Sequence, residues 1–255
     1  MDNNNLQLGF SKLYGASVFD RESRKQKAQK ALAILEDRLG DISRLDALDI
    51  GCSAGNSTIW YAQRFRHVVG ADIDAAAVGH AYRHNRAPNI DYYVMDAQRL
   101  SFADNSFDVV ICTHIYEHVP DASKLLREIG RVLKPRGVCY FTAANRLSLI
   151  EPHYRLPLLS VVPKRVSHAY LRLLNRGKFY YENHLTYWGL RRLVAGFDLD
   201  DYTMRVVKDP ERFRAMDVIA PGSLKQKFSL LLLKTAYWLC PTYLWLLIKT
   251  RPPTA

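Results

Sequence analysis

The stretch Leu48-Asp49-Ile50-Gly51-Cys52-Ser53-Ala54-Gly55-Asn56-Ser57 sets small residues at alternate positions directly after an apolar run. Gly51, Ser53 and Gly55 carry no large side chain, so a ligand can lie against the main chain there. The helix start that follows would offer it unpaired N–H donors. Asp72 closes Val68-Val69-Gly70-Ala71-Asp72, about twenty residues after the loop, where a carboxylate can accept both hydrogens of a ribose diol. Asp96 ends a further apolar run in Val94-Met95-Asp96-Ala97. The loop and Asp72 alone suit any fold that cradles a nucleotide-type cofactor, a dehydrogenase included.

These residues need elements to hold them. Residues 21–39 place Ala28, Ala31, Leu32, Ile34, Leu35 and Leu39 at helical spacing with basic residues opposite, which predicts an amphipathic first helix. Apolar runs of strand length follow at 47–50, 67–73, 90–94, 107–113 and 137–143, with helix-like stretches at 57–64, 75–84 and 122–133. That alternation predicts an α/β fold with a mostly parallel sheet and helices on both faces. The unbroken run Val109-Val110-Ile111-Cys112 suits a central strand covered on both sides. Lys134-Pro135-Arg136-Gly137 reads as a helix stop and a turn. After Asn145 the rhythm lapses until Tyr187, and from Arg146 to Arg192 nine basic residues face only Glu151 and Glu182. A basic and apolar insertion of this kind is where substrate contacts are expected. Beyond it the pattern predicts a helix over 186–195, a strand around 202–207 and a last strand at 243–248.

The 255 residues, 48% of them hydrophobic, suffice for a large core, and one domain over 1–255 is expected. Within it, 21–145 would be the cofactor-binding core, 146–186 an insertion on the substrate side, and 187–255 a helix, strand six, an amphipathic segment and strand seven. A net charge of +11 favours anionic partners such as nucleic acid, anionic lipid or phosphorylated substrates. Cys52, Cys112, Cys139 and Cys240 are widely spaced inside apolar runs and show no metal-ligand spacing, so reduced packing thiols in the cytoplasm, and no metal, are expected. The polar start Met1-Asp2-Asn3-Asn4-Asn5 lacks a signal-peptide pattern. Residues 228–248 are nearly long enough to cross a bilayer, but Lys234 and Pro241 interrupt them.

The glycine loop resembles the first motif, D-x-G-x-G-x-G, of the class I S-adenosylmethionine-dependent methyltransferases, with Ser53 at the middle glycine. Asp72 matches the acidic end of that family's second strand, and Asp96 resembles its acidic residue at the adenine amino group. Phe107-Asp108-Val109-Val110 with His114-Ile115-Tyr116-Glu117-His118-Val119 resembles the fourth strand and its E-H-V continuation. Leu125 to Gly137 resembles the following helix and its exit. The likeness runs from 48 to 145 and points to the type 11-like group, similar to quinone-biosynthesis and small-molecule methyltransferases. More loosely, 186–197 resembles the helix before strand six and 243–249 the last strand. The resemblance implies a Rossmann-like, seven-stranded, mostly parallel sheet whose last strand is antiparallel. It also implies S-adenosylmethionine as cofactor, held by Asp49, Gly51, Ser53, Gly55, Asp72, Ile73, Asp96, Ala97 and Thr113.

Methyl transfer from a sulfonium mainly needs donor and acceptor held within reach; a base matters when the acceptor is a hydroxyl. His114 is the best placed candidate, because side chains at the carboxyl end of a strand in such a sheet face the ligand crevice. His153, in Glu151-Pro152-His153-Tyr154-Arg155, is the second; His118 and His184 are weaker ones. Tyr14 and Phe19 could close over the cofactor or pack on the first helix. The segment after strand four lacks the Asn/Asp-Pro-Pro-aromatic motif of amino-methylating DNA enzymes, which argues against a nucleic-acid acceptor. Glu117 has no nearby carboxylate partner of the kind protein arginine methylation needs. A small-molecule or lipid-like acceptor is expected, with a nucleic-acid methyltransferase or a non-catalytic binding module of the same fold as the alternatives. Contact with a membrane surface through 225–239 would suit that segment's lysines and apolar residues. No obligate protein partner is evident.

Overall fold

The computed structural model describes residues 20–250; Tyr14 and Phe19 lie outside the described residues. Helix α1 (Arg21–Leu39) begins where the Asp20 side chain accepts the Ser23 N–H and ends at Gly40, whose φ of 74° few other residues tolerate. Then come β1 (Asp46–Ile50), α2 (Thr58–Tyr61), β2 (His67–Asp72), α3 (Ala75–His84), β3 (Ile90–Val94), β4 (Phe107–Thr113), α4 (Ala122–Val132) and β5 (Leu133–Ala144). Asp74 and Asp121 cap α3 and α4 by accepting N–H groups of the first turn.

With β8 (Phe197–Asp201) and β9 (Thr242–Lys249), the sheet order is β3-β2-β1-β4-β5-β9-β8. Strands β1 to β5 are parallel; β9 runs antiparallel between β5 and β8. Alternate residues serve opposite faces. Leu48, Ile50, Val110 and Cys112 join one core cluster with Leu125 and Ile129 of α4, while Ala47, Val109 and Ile111 join a second with Ala28, Ala31 and Leu35 of α1. Burial on both faces is why β4 reads as an unbroken apolar run. Trp245 and Tyr243 of β9 are fully buried, so the apolar end of the sequence completes the sheet. Among the described residues no helix is long and apolar enough to cross a membrane.

Three sequence expectations shift. The strand expected around 202–207 is instead helix α7 (Thr203–Lys208), and the strand before it is β8. The Asp201 carboxylate accepts the Thr203 N–H and turns the chain there, so Val206 is buried from a helix rather than from a strand. Lys134 to Gly137 is a bulge inside β5, with Arg136 at a φ of 66°, because Leu133 already pairs with Phe107 before the register shifts. The insertion is also more regular than its sequence suggests. It holds a hairpin, β6 (Ile150–Glu151) with β7 (Leu156–Pro157), and helix α5 (Lys164–Leu173). Helices α6 (Tyr187–Leu193) and α8 (Leu224–Thr235) complete the chain.

Candidate functional site

Strand order reverses between β1 and β4, and the loops leaving their carboxyl ends splay apart there, which opens a crevice. A cleft of about 370 Å³ occupies it, lined on one side by Gly51, Ser53, Asp72, Ile73, Asp96 and Ala97. On the other side lie Thr113, His114, Ile115 and His118, with Pro152, His153 and Arg155 of the insertion. Most of the expected cofactor residues and both candidate bases therefore share one cavity. Two do not line it. Asp49 lines a small adjoining pocket under the loop, and Gly55 supports the loop from behind.

The loop after β1 is a run of left-handed turns: Gly51 and Gly55 each have a φ of 73°, and Ser53 one of 51°. At the middle position Ser53 takes a left-handed φ without being glycine, at a backbone cost of about 1–2 kcal/mol. Its N–H is fixed by a 2.8 Å hydrogen bond to Asp72 Oδ2, while Asp72 Oδ1 accepts the Asp74 N–H at 2.9 Å. A side chain at Gly51 would start 2.1 Å from Ile115 Cδ1; at Gly55 it would start 2.5 Å from the Tyr92 hydroxyl. Asn85 braces the same loop, donating to Ala54 O at 2.7 Å and Asn56 Oδ1 at 3.0 Å.

Beneath the loop, burial raises the Asp49 carboxyl to about 7, although the Thr58 hydroxyl donates to it at 2.7 Å and the Arg24 charge opposes the shift. Arg24 and Lys27 of α1 line both this pocket and the main cleft. By sequence they belong only to the polar face of an amphipathic helix. Their one signal was a pair of cations three residues apart on the helix that precedes the glycine loop.

Across the cleft, His114 sits at a φ of 54° at the end of β4, and its Nδ1 lies 3.2 Å from Glu117 Oε1. Burial pushes the Glu117 carboxyl up, but the His114 hydrogen bond and the surrounding imidazoles outweigh it and hold the group at about 2. Burial lowers His118 to about 4, leaving it neutral at physiological pH. For His153, burial opposes protonation, yet the 2.8 Å hydrogen bond to Glu151 and the nearby carboxylates lift it above the ordinary value. His184 stands behind His153, ring centroids 5.9 Å apart, and does not line the cleft.

The Thr113 hydroxyl is buried without a hydrogen-bond partner among the described residues and lines the cleft. An orphaned donor beside a left-handed glycine turn and a strand-end carboxylate is what a bound nucleoside group would satisfy.

Comparison with known proteins gives this geometry a family. Residues 48–141 match the family model described as a methyltransferase domain. Those residues carry a methyltransferase domain similar to the class I S-adenosylmethionine-dependent methyltransferases. Over 134 residues it is 34% identical to a ubiquinone biosynthesis O-methyltransferase of Pseudomonas fluorescens, an alignment covering 49% of this chain and 57% of that one. A ubiquinone/menaquinone biosynthesis C-methyltransferase of Desulfotalea psychrophila is 31% identical over 146 residues, covering 52% of this chain and 59% of the relative. The chain thus matches somewhat over half the length of these curated relatives. In a solved complex of the Haloferax volcanii Trm112 methyltransferase activator with a methyltransferase, one chain superposes with a TM-score of 0.58 at 14% identity, covering 98% of each chain. That likeness is one of fold. The family's donor is S-adenosylmethionine, and the glycine turn, Asp72 and the unpartnered Thr113 hydroxyl fit it.

Proposed function

We propose that this methyltransferase transfers the methyl group of S-adenosylmethionine to a small or lipid-like acceptor held between His114 and the insertion. The observation that supports this most is the single cleft in which the cofactor-type residues meet His114, His153 and Arg155. When bound, S-adenosylmethionine supplies a sulfonium methyl open to in-line displacement. Asp72 would hold the ribose hydroxyls, Asp96 the adenine edge, and Arg24 the carboxylate of the amino-acid part, with Gly51 and Ser53 giving main-chain access.

The acceptor would enter on the side of Ile115, Val119 and the hairpin, where apolar contacts and Arg155 suit a hydrophobic molecule with an anionic group. His114 is positioned to take a proton from an acceptor hydroxyl, and Glu117 orients its ring through Nδ1 so that Nε2 is left to face the acceptor. Curated relatives include both O- and C-methyltransferases of quinone biosynthesis, in keeping with a ring acceptor that carries hydroxyls.

Calorimetric titration with S-adenosylmethionine and S-adenosylhomocysteine tests the first half of this reading. Micromolar binding that disappears in Asp72→Ala and Gly51→Arg supports it and justifies screening acceptors with labelled donor. Absence of binding to either ligand points instead to a fold used only as an interaction module.

We further propose contact with a membrane surface through α8. Leu224, Phe228 and Leu231 form one stripe, 83%, 67% and 58% exposed, between Lys225, Lys227 and Lys234. Beside it Trp188 and Trp238 stack at 5.6 Å, both exposed.

A further inference from the structure

Behind the acceptor side of the cleft lies a group of ionisable residues larger than a base and its orienting carboxylate require. Glu117, Glu151 and Glu182 are 0%, 0% and 1% exposed. Among the described residues, no Lys or Arg forms an ion pair with any of them; the side-chain partners of Glu117 and Glu151 are the imidazoles of His114 and His153. Three buried carboxylates without a permanent cation are costly, because each has been taken out of water without full compensation. Four imidazoles surround them: His114, His118, His153 and His184. The His118 and His153 rings meet edge to face with centroids 5.0 Å apart.

Three polar atoms in this group are buried and without a hydrogen-bond partner among the described residues: Glu117 Oε2, Glu182 Oε1 and His184 Nε2. Glu117 spends Oε1 on His114 and leaves Oε2 unused. His153 spends Nδ1 on Glu151, whose Oε2 is itself fixed by the His153 and Tyr154 N–H groups at 2.8 and 2.7 Å. A histidine whose Nδ1 is committed to an anchored carboxylate has its Nε2 aimed and made more basic, the arrangement that usually stands behind a metal-ligating imidazole.

We propose that Glu117, His118 and His153 form a site for a divalent transition-metal cation of the zinc class, open towards the acceptor. One ligand atom from each of the three lies within 4.8 Å of the other two. Around zinc, with bonds of about 2.0–2.2 Å, ligand atoms stand roughly 3.4 Å apart, so side-chain movements of about 1 Å close the set. Two histidines and one carboxylate leave a coordination position free, and His118 and His153 both line the cleft, so that position faces the acceptor. A cation there would also offset the buried carboxylates.

No cysteine takes part, and the ligands come from two segments more than thirty residues apart. Metal-ligand spacing in the sequence therefore could not reveal the site, and the expectation of no metal gives way to this proposal.

The test uses the full chain after chelator treatment, dialysed against Zn²⁺ alone, with Co²⁺ as a spectroscopic stand-in. One equivalent of Zn²⁺ and a visible Co²⁺ ligand-field band are expected in the wild type. Affinity should fall at least 10-fold in Glu117→Gln, His118→Ala and His153→Ala, and also in Glu151→Gln, which touches only the orienting carboxylate. Substoichiometric binding by the wild type overturns the proposal. So does binding that survives these substitutions, or that disappears only in the His80→Ala/His84→Ala double variant, whose rings pair at 4.4 Å on α3. Glu117→Gln and Glu151→Gln preserve shape if an alanine variant fails to fold. Titrating the same samples with S-adenosylhomocysteine separates failure of the metal site from failure of the methyl-transfer reading.

Discussion

Replacing Asp49 with asparagine should change the pH dependence of folding by an amount that the structure sets. Asp49 is 5% exposed, and burial raises its carboxyl from 3.8 to about 7 despite the Thr58 hydrogen bond and the Arg24 charge. Between those two values the folded chain holds a proton that the unfolded chain has released. Stability therefore falls as pH rises through this window, and the full penalty applies above about 7. Carried from about pH 5 to about pH 8, at about 1.4 kcal/mol per unit, the linkage amounts to roughly 2.5 kcal/mol. The amide introduced by Asp49→Asn cannot ionise, and its carbonyl can still accept from Thr58, so the variant should gain about that much relative to wild type across the same range. Any fixed cost of the amide is independent of pH and drops out of the comparison. Urea denaturation of both proteins at several pH values, without cofactor, reads the difference directly. A free-energy difference that stays flat from pH 5 to pH 8 would refute the claim that a buried, proton-retaining Asp49 underlies the glycine loop.

Two further substitutions separate chemistry from positioning. His114→Ala should lower kcat by about 10²–10⁴-fold, the usual contribution of a general base, while leaving S-adenosylhomocysteine affinity within about twofold. Equal losses in both would place His114 in cofactor binding instead. Glu117→Gln keeps an oxygen for His114 Nδ1 but removes the charge, so its loss of kcat should be smaller than that of His114→Ala and should vary with pH in a way the wild type does not. Membrane contact has its own measurement. At low salt the chain should sediment with anionic phosphatidylglycerol vesicles, Phe228→Ser/Leu231→Ser should stay in the supernatant, and equal partitioning onto neutral and anionic vesicles would defeat the proposal.

The sequence displays what is local and conceals what is assembled. The turn from β1 into the glycine loop is legible because its geometry and its ligand access come from the same few residues: left-handed φ at 51, 53 and 55 calls for small side chains. Asp72 and Asp96 are legible for a related reason, since each ends an apolar run and a strand end is where such a sheet meets its ligand. Arg24 and Lys27 belong to a helix whose burial pattern explains them as its polar face, and only packing of α1 against the loop brings them to the cleft. Position 202 shows the same limit: Val206 and Val207 favour a strand by type, but Asp201 turns the chain into a helix before they are reached. The histidine cluster is the strongest case. His118 follows β4 and His153 tips the hairpin of the insertion. Contacts such as the Leu185 N–H to the Tyr116 hydroxyl at 3.2 Å and the Asn183 N–H to Glu117 O at 2.8 Å fasten the far end of the insertion onto the β4 loop. Each histidine read alone is an ordinary loop residue; their chemistry arises from a juxtaposition that depends on how the insertion docks. For the same reason, a substitution that loosens this docking, with no change to any of the four imidazoles, should damage the acceptor side of the cleft and spare the cofactor side.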